Sequence, residues 1–226
     1  DNIICAGDEV TFTGSGANMY QFFIGSTAQG SLSVTSTFSS STLANGAAIS
    51  VFGSSLGCTS TSNVITMTTN AIPAVSISST DVNNTYCTNE VVDYTLNGAT
   101  NYEIFVAGTS QGPPSTTNTI NSTGFPSGSF ILSAVGETNA CYDTAQVSIL
   151  INTTPTGLIT SSDVDNTICQ GDVVTYTGSG GALYQFSING TTQGPNSPSN
   201  TFTLNSLAQG DIVSVIVSTP QGCVDA

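Results

Sequence analysis

The chain has 226 residues, 14 of them Asp or Glu and none Lys, Arg or His, so its formal net charge is −14. Charged residues are only 6 % of the chain, against ~25 % in an average soluble domain, while Ser and Thr together reach about 30 %. With no cation to neutralise phosphate or to engage anionic lipid, nucleic-acid binding and polybasic membrane association are excluded. The absence of His and Lys also removes the usual bases for hydroxyl nucleophiles, Schiff-base amines and imidazole metal ligands. Apolar runs fall far short of the ~18 residues that a membrane-spanning helix needs, so no membrane span is expected. Asp1-Asn2 opens neither a basic n-region nor an apolar run, so the chain is expected to be a mature stretch or a window cut from a longer one.

In chain order, the first strands show a two-residue period. Val10, Phe12 and Gly14 alternate with Thr11 and Thr13, and Tyr20, Phe22 and Ile24 alternate with Gln21 and Phe23. Asn63–Thr68 reads as the last strand of a unit, and Ala71-Ile72-Pro73 as a short, stiff linker. The next unit reads as seven strands: Val75–Ser78, Val92–Thr95, Tyr102–Val106, a short one near Gly112–Thr117, Asn118–Thr123, Ser129–Val135 and Ala145–Ile151. A third unit ends in the apolar run Ile212–Val217. Turn signals such as Gly14-Ser15-Gly16, Asn45-Gly46, Asn97-Gly98 and Gln209-Gly210 recur between these runs. No window supports a 3.6-residue period. The fold class is therefore all-β, a tandem array of immunoglobulin-like β-sandwich domains.

The array is written in the cysteines. Cys5, Cys87 and Cys169 are spaced by 82 residues, and Cys58, Cys141 and Cys223 by 83 and 82. Around them Asn2–Asp8 matches Asn84–Cys87 and Asn166–Asp172, and Tyr20 matches Tyr102 and Tyr184 on the third strand, where antibody domains bury a Trp. The Tyr ring is expected to fill the core with its hydroxyl partnered at the edge. Three repeats follow: 1–72, with its first strand missing; 73–154; and 155–226, with its last strand missing.

The pattern Ile-Cys-x-Gly-Asp-x-Val-Thr-Tyr/Phe-Thr, then Tyr-x-Phe-x-Ile, then Gly-Cys, resembles the Ig-like and PKD-like repeats of large Bacteroidota cell-surface proteins across essentially the whole chain. The family often carries Trp where Tyr20, Tyr102 and Tyr184 stand. The resemblance implies an extracellular, cell-surface location, export by type IX secretion, and kinship with gliding-motility adhesins. On that reading the chain is a structural stalk or filament segment of a repetitive adhesin. Its partners would be neighbouring repeats of the same chain and other surface proteins or glycans. The alternative is a carbohydrate- or protein-binding array, using the variable stretches Gly30–Ser41, Gly112–Thr123 and Gly194–Thr203. An enzyme is not expected. Carboxylates such as Asp8, Glu90 and Asp172 recur at the same place in every repeat, whereas an active site is seldom copied into each module of a stalk.

The remaining candidate residues are these. Six cysteines in a secreted β array are expected to be oxidised, and two pairings are open. Within repeats the bonds would be Cys5–Cys58, Cys87–Cys141 and Cys169–Cys223. Head to tail they would be Cys5–Cys141 and Cys87–Cys223, with Cys58 and Cys169 bonded to further repeats. Strand direction favours the second. The start of the second strand and the end of the sixth lie at opposite poles of a sandwich, roughly 20 Å apart, beyond the ~7 Å that a disulfide allows between Cα atoms. Asp81, Asp163 and Asp165 in the loops between the first and second strands, with Asp143 and Asp225 just after the cysteines that precede the last strand, are the oxygen donors that Ca²⁺ would take. No other cofactor is called for, and the competing reading is that these are turn residues. Asp143-Thr144-Ala145 resembles a Bacteroidota O-glycan acceptor at Thr144. Tyr86, Phe105 and Tyr142 fall outside the repeated core positions and are the candidate exposed rings.

Overall fold

Ser, Thr and β-branched residues in two-residue alternation favour a pleated, half-buried backbone, and the computed structural model, which describes residues 2–225, is all-β. Its strands are β1 (Ile3–Cys5), β2 (Val10–Thr13), β3 (Met19–Ile24), β4 (Thr27–Ala28), β5 (Thr37–Ser40), β6 (Ala48–Ser55), β7 (Cys58–Thr61), β8 (Ile65–Thr66) and β9 (Thr68–Asn70) in the first repeat. The second repeat holds β10 (Ser76–Ser79), β11 (Thr85–Cys87), β12 (Asp93–Asn97), β13 (Asn101–Val106), β14 (Thr109–Ser110), β15 (Thr119–Asn121), β16 (Gly128–Thr138) and β17 (Cys141–Asn152). The third holds β18 (Leu158–Ser161), β19 (Val174–Ser179), β20 (Leu183–Ile188), β21 (Thr191–Thr192), β22 (Thr201–Leu204), β23 (Val213–Ser218) and β24 (Val224–Asp225).

Two compact units contain these strands. One comprises Asp1–Ile77, Leu96–Asn118 and Ser133–Gln146; the other comprises Ser78–Thr95, Thr119–Leu132 and Val147–Ala226. In the first unit β2 pairs with β5, and a second sheet runs β4-β3-β6-β7, with β8 also on β6. In the second unit β18-β19-β22 form one sheet and β21-β20-β23-β24 the other. These are the A-B-E and C′-C-F-G sheets of an immunoglobulin-type sandwich.

In the first two repeats one strand lies beyond the seven that alternation predicts. β1 runs parallel to β9, with Ile3 opposite Thr68 and Cys5 opposite Asn70. β11 runs parallel to the end of β17, with Thr85 opposite Leu150 and Cys87 opposite Asn152. This added strand buries Tyr86 to 3 % exposure, which corrects its assignment as an exposed ring. Tyr94 lies beside it, wholly buried, and donates a hydrogen bond to the Tyr86 hydroxyl at 3.2 Å. Burial and that bond push the Tyr94 phenol well above its ordinary value. The short fourth strand of the second repeat also falls earlier than expected, at Thr109–Ser110, leaving only a bridge from Tyr102 to Ser115.

Each core is organised by its third-strand tyrosine. Tyr20, Tyr102 and Tyr184 are 5–8 % exposed. The Tyr102 hydroxyl accepts from Ala99 N and donates to Ala99 O, both at 2.9 Å. Tyr20 makes the same pair of bonds with Ala17, and Tyr184 donates to Gly181 O at 2.7 Å. The hydroxyl thereby closes the loop that carries the chain from one sheet to the other. The ring itself lies on position 14, 96 or 178. A Cβ on Gly14 would stand 2.8 Å from Tyr20 Cδ1, and one on Gly178 2.7 Å from Tyr184 Cδ1. Val51 and Val215 border those glycines. In the second repeat Leu96 takes the glycine's place and packs with Tyr102 and Ala134. The large and small partners are exchanged, so core volume is conserved. Tyr102→Phe removes both bonds to Ala99 and is expected to cost about 1–2 kcal/mol, read as a shifted urea midpoint with unchanged slope.

Candidate functional site at the cysteine turns

The first cysteine of each repeat sits in a turn closed by a carboxylate three residues on. Cys5 N donates to Asp8 Oδ2 at 2.8 Å, and Asp8 N donates back to Cys5 O at 3.0 Å. Cys87 and Glu90 repeat this at 3.1 and 2.9 Å, and Cys169 and Asp172 at 2.9 and 3.1 Å. The recurring carboxylates are therefore turn-closing groups, each holding a cysteine in one presentation.

The second cysteine of each repeat follows the hairpin between the last two long strands. Asn139 and Ala140 turn β16 into β17 with φ of 53° and 62°, and Leu56 and Gly57 turn β6 into β7 with φ of 50° and 82°. These are left-handed positions, as a two-residue primed hairpin turn demands. The third repeat uses a longer turn, in which Ser218 pairs with Val224 and Thr219 Oγ1 accepts from Cys223 N at 3.2 Å.

The two kinds of turn meet in covalent pairs. Cys5 is bonded to Cys141 and Cys87 to Cys223, with Cα separations of 5.7 and 5.6 Å and a sequence separation of 136 in each. Each bond joins one repeat to the next. Cys141 and Cys223 are buried to 0 and 1 % exposure. Beside the first bond Asn70 Nδ2 donates to Asn139 O at 3.0 Å, and Ala140 O lies 3.7 Å from Cys5 Sγ. Beside the second, Asn152 O lies 3.8 Å from Cys223 Sγ. Glu137 braces the first hairpin, accepting from Asn101 Nδ2 at 2.9 Å and from Ala140 N at 2.8 Å. Those two bonds, the Asn101 one foremost, hold its carboxyl below the usual range. Cys58 and Cys169 are free thiols and exposed.

The aspartates named as oxygen donors for Ca²⁺ accept hydrogen bonds from backbone amides. Asp81 Oδ1 accepts from Asn83 N and Thr85 N. Asp163 Oδ1 and Asp165 Oδ1 both accept from Thr167 N, at 3.0 and 2.9 Å. Asp143 Oδ2 accepts from Val75 N at 2.9 Å, and Asp225 Oδ2 from Gly157 N at 2.7 Å. Each of the last two pins the chain entering a repeat to that repeat's final strand. Among the described residues no three His, Cys, Asp or Glu side chains gather as a metal would require. Asp143→Ala strands the Val75 amide and is expected to cost about 1–3 kcal/mol. Asp143→Asn keeps a carbonyl acceptor and should recover most of that. A calcium ligand would instead show as a melting temperature raised by added Ca²⁺ and lowered by chelator in the unsubstituted chain, so melting in the presence and absence of Ca²⁺ separates the two roles. Thr144 is exposed on β17, Tyr142 is 62 % exposed and Phe105 is half-buried.

No family model matches the chain, and no curated protein does. Among solved structures it is similar to an ICAM-5 ectodomain fragment at 15 % identity, with all of this chain and 72 % of that one covered and a TM-score of 0.49. A three-Ig segment of titin, an E-to-A mutated variant, is 11 % identical over 98 % of this chain and 93 % of its own, with a TM-score of 0.48. The full ectodomain of mouse nectin-like molecule 4 is 10 % identical over 97 % and 92 %, with a TM-score of 0.43. The sandwich assignment rests on the strand order and the core described above.

Proposed function

We propose that the chain is a load-bearing stalk segment of a repetitive extracellular cell-surface adhesin. The observation that carries this is the use of one joint twice: a carboxylate-closed cysteine turn of one repeat bonded to the hairpin cysteine of the next. A disulfide across every joint means that tension need not pass through the linker. Cys58 and Cys169 stand at the positions whose counterparts are bonded, so in a longer array they bond to the preceding and following repeats. The repeat pattern's resemblance to Bacteroidota surface proteins supports export by type IX secretion and a role among gliding-type adhesins.

Thiol labelling tests the reading. Without reductant, the 226-residue chain is expected to take two maleimides, at Cys58 and Cys169. Intact protein on the surface of the cells that make it is expected to take none at those cysteines. Full labelling on the cell surface would show that the joints do not continue, and the stalk reading would fail.

A further inference from the structure

One loop is built twice in this chain, with a single functional group exchanged. In the second repeat Ser79 Oγ accepts from Asp81 N at 3.0 Å, Asp81 Oδ1 accepts from Asn83 N and Thr85 N, and Asn83 Oδ1 accepts from Thr85 N at 2.9 Å. In the third, Ser161 Oγ accepts from Asp163 N at 3.1 Å, and Asp163 Oδ1 and Asp165 Oδ1 both accept from Thr167 N. Asn84 and Asn166 turn the two loops with the same φ of 54°. Both loops project into solvent, with Val82 and Val164 101 and 98 % exposed. The difference lies two residues before the threonine, where one loop carries the amide of Asn83 and the other the carboxylate of Asp165. Asn83-Asn84-Thr85 is thereby an Asn-x-Thr triplet, the acceptor pattern for a glycan on an amide nitrogen. Three more such triplets begin at Asn121, Asn152 and Asn189, and their surroundings set them apart. Asn189 Nδ2 donates to Asp211 Oδ1 at 2.8 Å, and its Oδ1 accepts from Ile212 N. Asn152 is half-buried opposite Cys87 in the β11–β17 pair. Asn121 is held in the β12–β15 ladder opposite Asp93. Asn83 is exposed and lies outside every strand, and its Nδ2 donates to none of the described residues.

We infer that Asn83 is the attachment point of an N-linked oligosaccharide, transferred from a lipid-linked glycosyl pyrophosphate. In the transfer, Nδ2 forms a bond to the anomeric carbon of the first sugar. The bond from that carbon to the pyrophosphate oxygen breaks, its electron pair leaves with the pyrophosphate, and the Nδ2 proton passes to a base of the transferase. An amide nitrogen is a weak nucleophile until that proton goes, and the negative charge then gathers on Oδ1. The Thr85 N–H already points at Oδ1, a donor placed where charge develops. Asp81, bonded to the amides of Asn83 and Thr85, fixes the backbone on either side of the acceptor. The loop of the third repeat has the same frame, but the carboxylate of Asp165 has no nitrogen to glycosylate. One glycan is therefore expected on this loop pair, in the second repeat.

The test is peptide mass spectrometry on the protein as its own cells display it, reduced, denatured and cut with chymotrypsin, since the chain has no Lys or Arg for trypsin. The peptide that ends at Tyr86 is expected to carry an oligosaccharide. An amidase that hydrolyses the bond between sugar and asparagine is expected to remove it and to leave a carboxylate, marked with heavy oxygen from labelled water. Asn83→Gln and Thr85→Ala are each expected to abolish the modification, and Thr85→Ser to keep it. Asp165→Asn completes the same triplet on the matching loop and is expected to add a second glycan, a gain that does not depend on how well the Asn83 variants fold. A bare Asn83 peptide from the displayed protein, a glycan confined to Thr144, or no second glycan on Asp165→Asn overturns the inference. None of these results alters the labelling of Cys58 and Cys169, so this inference and the stalk reading fail separately.

Discussion

Stretched between its ends, the oxidised chain is expected to extend to only about a quarter of the length that the reduced chain reaches. The shortest covalent route runs from residue 1 to Cys5, across to Cys141, back along the backbone to Cys87, across to Cys223 and out. That route holds about 60 residues of backbone, ~210 Å fully extended, against ~790 Å for the whole chain. The two loops overlap between Cys87 and Cys141, so cutting one bond does not free the whole length. Cys5→Ser alone opens the route from residue 1 to Cys87 and on through Cys223, about 90 residues. The double variant Cys5→Ser/Cys87→Ser should behave as the reduced protein. Single-molecule force spectroscopy with and without reductant reads these lengths directly. Equal lengths in the two conditions would show that the bonds do not form in solution. Each bond also closes a loop of ~136 residues in the unfolded chain, for which loop entropy sets an upper bound of about 5 kcal/mol.

Acid is expected to collapse the charge of this protein without reversing it. At neutral pH the formal charge is −14 and nothing offsets it but the amino terminus. Most chains become strongly positive below their isoelectric point and regain solubility there. This one, with a pI near 4.1 and no Lys, Arg or His, approaches zero and stays there. Mutual repulsion keeps the chains apart at neutral pH, so association is expected below about pH 4, the ordinary carboxylate range, with no recovery at pH 2. Static light scattering against pH checks this, and renewed solubility at pH 2 would contradict it.

Two carboxylates add a stability component with the same sign. Glu137 is held below its ordinary range by Asn101 and the Ala140 amide, and Asp211 by the Ala208 amide and Asn189. A depressed folded pKa gives stability that is present above the unfolded value and lost as pH falls through the folded one. Tyr94 acts at the other end. Its raised phenol gives stability that is intact below the unfolded value, ~10, and lost as pH rises above it.

Much of this molecule is legible without coordinates, because its information is local and repeated. Two-residue alternation marks the strands of the sandwich and puts Phe12, Tyr20, Phe22, Tyr102 and Tyr184 in the core, since a pleated strand with one face on a core has no other way to hide apolar groups. The 82-residue recurrence of the cysteines sets the repeats, and the absence of cations sets the acid behaviour. Other features required the tertiary structure. β1 and β11 carry little alternation of their own; they are strands because β9 and the end of β17 offer a parallel edge more than 60 residues away, and Tyr86 is buried for that reason alone. Asp81, Asp143, Asp163, Asp165 and Asp225 have the composition of cation ligands, and only their distances to backbone amides show what their oxygens hold. The cysteines left two pairings open. The choice depended on which poles face each other, a property of whole strands and their directions that no window of sequence contains.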